Sequence, residues 1–308
     1  LIVVTGGAGF IGSNLVRGLN EQGHQNIVIV DDMSTATKHL NLKGCQFVDY
    51  YDKDEFLEEF PNLDDVRAVF HQGACAVTTE QDGRYMMQTN FSYSKKLLHE
   101  SMRKKCPFIY ASSAAVYGLG EKSFKEDQGL ENPMNVYGFS KLAFDHHVRN
   151  LLPEAESQIT GLRYFNVYGP RESHKGSMAS VIYHMWSQYQ RGERLKLFEG
   201  SENYLRDFVH VDDVVDINIH FMKTRRSGIF NGGTGKVNSF ARLGEIVCSE
   251  LSGSQIEKIK MPDGLKKQYQ EYTCADTQLL EAAGYDAGFT KLEDGIKSYL
   301  AGLKNGAS

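Results

Sequence analysis

The sequence predicts an α/β fold, a doubly wound parallel sheet covered by helices on both faces, with a smaller α/β lobe carried mainly by the later residues. Three observations predict it. The apolar run Leu1 to Val4 leads directly into a glycine-rich turn and then into a helix-periodic stretch. Short apolar runs alternate with amphipathic stretches as far as Gly169-Pro170, and beyond that point the strict alternation ends. The length of 308 residues suits about two domains at roughly 150 residues each.

The elements follow in order. Leu1 to Val4 reads as a strand buried on both faces. Phe10, Ile11, Leu15 and Leu19 recur at helical spacing, and Ile27 to Val30 repeats the apolar strand, which closes a βαβ unit. Val66 to Phe70, Pro107 to Ala111 and Ile159 to Phe165 read as further strands, separated by helical stretches near Gln81 to Lys105 and Val136 to Leu152. After the charged, Gly-containing loop Arg171 to Ser177 come a helix over Met178 to Gln190, a strand over Leu195 to Phe198 and a helix around Val211 to Met222. A Gly232-Gly233-Thr234-Gly235 turn, a helix near Phe240 to Leu251 and two terminal helices complete the chain.

Composition excludes several classes. Apolar residues make up 41% and charged residues 24%, which is globular usage and not that of a disordered chain. With 34 Lys plus Arg against 39 Asp plus Glu and a net charge of −5, no basic stripe suits a nucleic acid. Cys45, Cys75, Cys106, Cys248 and Cys274 are widely spaced, with neither a CxxC nor a zinc pattern, and read as reduced thiols. No apolar run reaches the roughly 20 residues that cross a bilayer, and a strand at residue 1 leaves no room for a signal peptide. The expectation is a cytoplasmic protein without a membrane partner.

Gly6, Gly9 and Gly12 are spaced GxxGxxG between strand and helix, where bare backbone lets a pyrophosphate approach the amides of a helix N-terminus. Asp31 lies nineteen residues after Gly12, the distance at which a carboxylate reaches adenosine ribose hydroxyls. Together they predict a Rossmann-type dinucleotide domain over residues 1–170 plus roughly 204–232, leaving roughly 171–203 plus 233–308 for substrate. Asp31 favours NAD over NADP by like-charge repulsion, whereas Lys38 or Lys53 could neutralise a 2′-phosphate, so physics alone leaves the choice open.

Tyr137-Gly-Phe-Ser-Lys141 places a phenol and an ammonium on one helix face. A free tyrosine ionises near pH 10, and a neighbouring ammonium is expected to lower that value. Ser113, ending the preceding strand, can hydrogen-bond the same substrate oxygen. A lone YxxxK is common on surface helices. In this order, however, the glycine turn, the acid, the Ser-terminated strand and the Tyr/Lys pair resemble the extended short-chain dehydrogenase/reductase superfamily. The resemblance implies that Ser113, Tyr137 and Lys141 handle protons beside a nicotinamide.

Ala114-Ala115 after Ser113 offers no proton donor where the superfamily's dehydratases carry an Asp-Glu pair, which leaves redox or epimerisation. Tyr164-Phe-Asn-Val-Tyr-Gly-Pro-Arg-Glu172, His174-Lys-Gly-Ser-Met-Ala-Ser180, Leu197-Phe-Glu-Gly-Ser-Glu-Asn203, Gln72-Gly-Ala-Cys75 and Thr78-Thr-Glu80 resemble the ADP-heptose 6-epimerase family. That resemblance implies hydride transfer at C6 of an ADP-heptose in lipopolysaccharide inner-core synthesis, with Tyr137 and Lys175 as the two acid/base groups. It further implies Phe10, Ile11, Asp31, Asp32, Lys38, Lys53, Gln72, Gly73, Ala74, Cys75, Ala76, Asn90, Lys141, Val167 and Lys175 around the cofactor. Asn166, Ser177, His184, Phe198, Glu199, Gly200, Ser201, Arg206 and Tyr269 would line the ADP-sugar pocket. A homo-oligomer, with a pentamer as its number, is also implied.

Asp32 stands where the family has Asn, and Ala76 where it has Ser. NADP is still the expected cofactor, because both lysines are retained. Read without the resemblance, Lys175 is a solvated loop cation, His184 a packing residue and Arg206 the partner of a local acid. A guanidinium fork nevertheless suits a diphosphate. His146-His147 lack further ligands and read as non-functional. A UDP-hexose 4-epimerase or related reductase with the same Ser/Tyr/Lys set is the alternative, and a non-catalytic nicotinamide sensor a third reading.

Overall fold

The computed structural model describes residues 1–120, 123–262 and 270–306. In chain order the strands are β1 (Ile2–Thr5), β2 (Ile27–Asp31), β3 (Asp49–Asp52), β4 (Ala68–His71), β5 (Phe108–Ser113), β6 (Ile159–Tyr164), β7 (Asn166–Tyr168), β8 (Leu195–Phe198), β9 (Leu205–His210), β10 (Gly228–Gly232), β11 (Val237–Ser239) and β12 (Ile256–Ile259). The helices are α1 (Phe10–Glu21), α2 (Lys53–Glu59), α3 (Gly83–Met87), α4 (Tyr93–Arg103), α5 (Val136–Leu151), α6 (Val181–Gln190), α7 (Val211–Thr224), α8 (Phe240–Glu250), α9 (Gln278–Ala282) and α10 (Leu292–Lys304).

Seven strands form one parallel sheet in the order β10-β6-β5-β4-β1-β2-β3. The fold is Rossmann-like. Strand order reverses between β1 and β4, and ligands bind at the carboxyl ends of the strands beside such a switch point. Alternation along the central strands assigns the two faces. Ile2, Val4, Ile29 and Phe70 pack with Leu15 and Leu19 of α1 and Val215 and Ile219 of α7. Val3, Val28, Val30 and Val69 pack with Phe56, Leu97, Leu98 and Phe144 on the other face. Burial on both faces is why these strands read as continuous apolar runs.

A separate core joins Ile182 and Met185 of α6, Leu195 and Leu197 of β8, Leu243 and Val247 of α8, and Ile296 and Leu300 of α10. Beside it, β9 pairs with β7 in parallel and with β11 in antiparallel, and β8 pairs with β12.

Several elements differ from the sequence reading. The stretch read as one helix over Gln81 to Lys105 is α3 and α4 joined by a π-helical turn over Gln88–Ser92, which buries Asn90. The helix read from Met178 begins at Val181, because Ser180 caps it by accepting from the Tyr183 amide and a 3₁₀ stretch occupies Ser173–Met178. β3 and β12 lack any buried residue, so they carry no apolar run from which to be read. Among the described residues no helix is long and apolar enough to cross a membrane.

Candidate active site

The glycine turn joins β1 to α1. Gly6 has a positive φ of 66°, and a Cβ there would lie 2.6 Å from the Gly73 amide nitrogen. At Gly12 a Cβ would overlap the Gly6 carbonyl. These two glycines therefore serve backbone-on-backbone packing within the protein. Gly9 is the N-cap of α1 and places no side chain on the first-turn amides, and that turn holds no acidic residue. Uncapped amides at a twelve-residue helix fit the pyrophosphate of a dinucleotide. Phe10 is buried and Ile11 half-buried at this terminus.

Asp31 ends β2 and is 5% exposed. Its Oδ2 accepts from the Ala8 amide at 2.7 Å and braces the turn, while Oδ1 accepts from the Asp32 amide and from Lys38 Nζ. Lys53 Nζ donates to Asp32 Oδ2 at 2.9 Å. That bond holds the Asp32 carboxyl well below its usual range and raises Lys53. Each lysine expected to meet a phosphate thus already faces a carboxylate.

The segment after β4 carries Gln72 to Ala76. Gln72 turns its amide to Asn218 and Tyr164, at 3.1 Å each. Asn90 is buried, accepts from the Cys75 amide at 2.8 Å and donates to the Cys75 carbonyl at 3.0 Å. Both were expected around a cofactor; in the fold both side chains are engaged with the protein. Gly73, Ala74 and Cys75 are half-buried and Ala76 is exposed.

Ser113 ends β5 and Tyr137 and Lys141 lie on α5, which starts where the Asn135 side chain accepts from the Gly138 amide. The fold brings the three together with Cys75. Ser113 hydrogen-bonds the Tyr137 phenol, yet burial outweighs that bond and pushes the phenol up, and Cys75 acts in the same direction. The expected lowering by Lys141 is absent. Lys141 is 5% exposed and donates to the Ala111 carbonyl at 2.9 Å, and burial brings its own value down to about 8. At about 8 the ammonium is still mostly charged at neutral pH, and its field reaches His71, which it helps to keep neutral.

Lys175 lies in the 3₁₀ stretch, with Nζ 4.8 Å from the Phe10 ring centroid and 4.0 Å from Glu172 Oε2. Burial lowers it and Glu172 opposes. Its segment docks on the dinucleotide turn, since Asn41 Nδ2 bridges the Ala8 carbonyl and His174 Nδ1 at 2.9 Å each. Met178 of the same segment accepts from Thr78 Oγ1 at 3.7 Å.

Arg206 is buried on β9, lies over the Phe240 ring and donates to the carbonyls of Leu205 and Gln270. Asn166 begins β7, one register step from the same strand, and accepts from Thr273 Oγ1 at 3.4 Å. Val167 of β7 is half-buried against the core. Phe198 closes β8, and the turn after it exposes Glu199, half-buries Gly200 and buries Ser201, whose hydroxyl accepts from Lys258. His184 on α6 faces the Ser177 carbonyl at 3.3 Å. Tyr269 lies outside the described residues. His146 meets Glu131 and His147 meets His99, each at 3.2 Å. Among the described residues no group of three or more ligand side chains could hold a metal.

The strand–turn–helix with uncapped amides, the acid closing β2 and Ser113 at the end of β5 all lie at the carboxyl ends of strands of one parallel sheet, and a model of the NAD dependent epimerase/dehydratase family matches residues 2–233. The chain belongs to that family. It is similar over 98% of its length to ADP-L-glycero-D-manno-heptose-6-epimerase from Helicobacter pylori, at 34% identity and a TM-score of 0.86, covering 96% of that chain. UDP-glucose 4-epimerase from Thermotoga maritima, solved with UDP-glucose, matches 100% of this chain and 99% of its own at 28% identity and 0.85. UDP-N-acetylglucosamine 4-epimerase from Methanobrevibacter ruminantium, solved with UDP-N-acetylmuramic acid, matches 99% and 98% at 25% identity and 0.86.

Within this family member, some residues that shape the site carry no sequence signal of their own. The Gly73 amide donates to Thr5 Oγ1, which contacts His71 Nδ1 at 2.6 Å, and His71 Nε2 meets Ser94 Oγ at 2.7 Å. Ser94 in turn donates to the Asn90 carbonyl. This chain fixes the loop holding Cys75, and burial keeps His71 neutral, down to about 3. Under Lys141, Asp145 accepts from Tyr110, Ser112 and Arg163 and opposes the drop in the Lys141 value. Only tertiary contact marks these residues out.

Proposed function

We propose that this protein interconverts ADP-D-glycero- and ADP-L-glycero-D-manno-heptose by epimerisation at C6, in the cytoplasm and as a homo-oligomer, within lipopolysaccharide inner-core synthesis. One observation carries the reading: besides the Ser113/Tyr137/Lys141 set, a second amine, Lys175, lies against Phe10 at the start of α1, in a segment docked on the glycine turn through Asn41. Inverting an alcohol carbon requires proton handling for both epimers, and Tyr137 and Lys175 divide that work. The HKGS segment and the identity to the heptose epimerase support the substrate.

The uncapped α1 amides, Asp31, Lys38 and Lys53 would hold the dinucleotide. A nicotinamide bound there supplies reversible removal and return of hydride at the sugar carbon. Tyr137 Oη takes or gives the hydroxyl proton of one epimer and Lys175 Nζ that of the other; the proton gained by one group and lost by the other is exchanged back through solvent before the next turnover. Ser113 holds the phenol in place through its hydrogen bond. Lys141, lowered to about 8 and so mostly charged at neutral pH, supplies a positive charge on the phenol's helix. Arg206, Asn166, Phe198, Glu199, Gly200, Ser201, Ser177, His184 and Tyr269 bind the ADP-sugar, whose remote contacts position the reacting carbon. NADP is the cofactor, through Lys38 and Lys53.

Incubating the purified protein with ADP-D-glycero-D-manno-heptose, without added cofactor, tests this. Appearance of the C6 epimer is expected, and turnover in D₂O should leave C6 unlabelled. Conversion of UDP-glucose in preference to the heptose would favour a 4-epimerase and overturn the assignment.

A further inference from the structure

Glu172 is fully buried, 0% exposed, although it lies three residues from Lys175 in a loop rich in charge. Its carboxylate is held from two sides, by the N-cap residue of α6 and by α10. Oε2 accepts from the Ser180 amide at 2.6 Å, and Oε1 accepts from Ser180 Oγ at 2.6 Å and from the Tyr299 phenol of α10 at 3.1 Å. The backbone completes the arrangement, since the Lys175 amide donates to the Glu172 carbonyl at 3.0 Å.

Three neutral donors satisfy lone pairs but leave a full charge in a dry place, and a buried carboxylate needs a counter-charge. Among the described residues the ion pair within 4.0 Å of it is Lys175 Nζ. The separation matters. At hydrogen-bonding contact the pair would lock as a salt bridge; at 4.0 Å the amine feels the charge without a direct hydrogen bond to it. The other neighbours of Lys175 are the Phe10 ring from α1 and His174, which burial, Lys38 and Lys175 keep neutral, down to about 4.

We propose that Glu172 is the positioning residue of Lys175, a buried counter-charge that aims the amine at the glycine turn and sets how readily it exchanges its proton. This rests on the reading of Lys175 as the second acid/base group. Burial lowers Lys175 and Glu172 opposes that lowering, so removing the charge moves Lys175 ionisation to lower pH.

The test reads Lys175 directly. In the full chain, pH-dependent acylation of Lys175 by acetic anhydride, followed by mass spectrometry, gives its titration midpoint without substrate. Glu172→Gln is expected to move the midpoint acidward and to lower kcat with ADP-heptose on the order of tenfold, a fraction of the roughly 10²–10⁴-fold that a full acid/base group contributes, with KM little changed. Glu172→Asp, which withdraws the charge by a methylene, shifts the midpoint the same way by less, and it decides the matter if the Gln variant does not fold. Tyr299→Phe removes a hydrogen bond but keeps the charge, and should leave the midpoint in place. An unmoved midpoint in the Glu172 variants, or an equal shift in Tyr299→Phe, overturns the proposal. Lys175→Met with full turnover would instead refute the acid/base reading of Lys175 and leave the labelling result standing.

Discussion

At the end of β2 two lysines face carboxylates at contact distance, Lys38 on Asp31 and Lys53 on Asp32 at 2.9 Å. On α5, by contrast, Lys141 donates to the Ala111 carbonyl, and in the 3₁₀ stretch Lys175 keeps 4.0 Å from Glu172. The electrostatic outcomes are opposite. Pairing raises Lys53 and lowers Asp32, so those charges are permanent. Burial lowers Lys141 and Lys175, so those protons are loosely held. The difference teaches how one site separates binding from chemistry: lysines in direct contact with carboxylates keep their charge for an anionic ligand, and those held off such contact and desolvated give up their protons more easily.

The strongest way to break this contrast is at the chemical end. Tyr137→Phe removes the phenolic proton and should cost about 10³-fold in kcat, with ADP-sugar binding retained by calorimetry. Residual turnover near wild type would place the proton transfer elsewhere.

Lys141→Met sharpens it through stability. Because its value in the fold, about 8, lies below that of an unfolded lysine, the unfolded chain binds more protons and stability rises as pH climbs from about 8 to 10.5. Removing the ammonium at pH 7 relieves that penalty. We expect roughly 100-fold loss of kcat together with a Tm higher by a few degrees, at about 2–4 °C per kcal/mol, in ligand-free protein by calorimetry. A lower Tm would show the ammonium to be well compensated.

His71 and His174 extend the argument to acid. Both are held down by burial, to about 3 and about 4, so stability is full above an unfolded histidine's 6.5 and falls as pH drops towards those values. Chemical denaturation between pH 7 and 4 should show a loss on the order of 2–3 kcal/mol. A flat profile would mean the Thr5–His71–Ser94 chain opens freely.

The smallest effect belongs to the paired end. Asp32→Asn leaves Lys53 without its main partner and should raise the preference for NADP over NAD about fivefold, since a pair this exposed is worth about 1 kcal/mol or less. Fluorescence titration of both nucleotides measures it.

How much was legible follows from what each residue needs. Asp31 could be found because strand, turn and helix occupy consecutive sequence, and Tyr137 and Lys141 because a four-residue step fixes a helix face. Gly6 and Gly12 stand out in the sequence by their spacing, and the fold shows that their closest neighbours are Gly73 and the turn itself. The protein partners of Gln72 and Asn90 could not be read from the sequence, because Asn218 and Tyr164, and Cys75 and Ser140, come from other segments. β3 escaped because an exposed edge strand has no apolar period.

The sequence by itself determined the βαβ unit, the glycine turn, the acid at the end of β2 and the Tyr/Lys face of α5, since each is written in near-neighbour spacing. Tertiary structure alone decided which lysines are paired, that burial raises the Tyr137 phenol against Ser113, and that the Lys175 segment docks on Ala8 through Asn41. The physical reason is that the ionisation of a side chain depends on its solvation and its distance to other charges, and both are set by segments far apart in the chain.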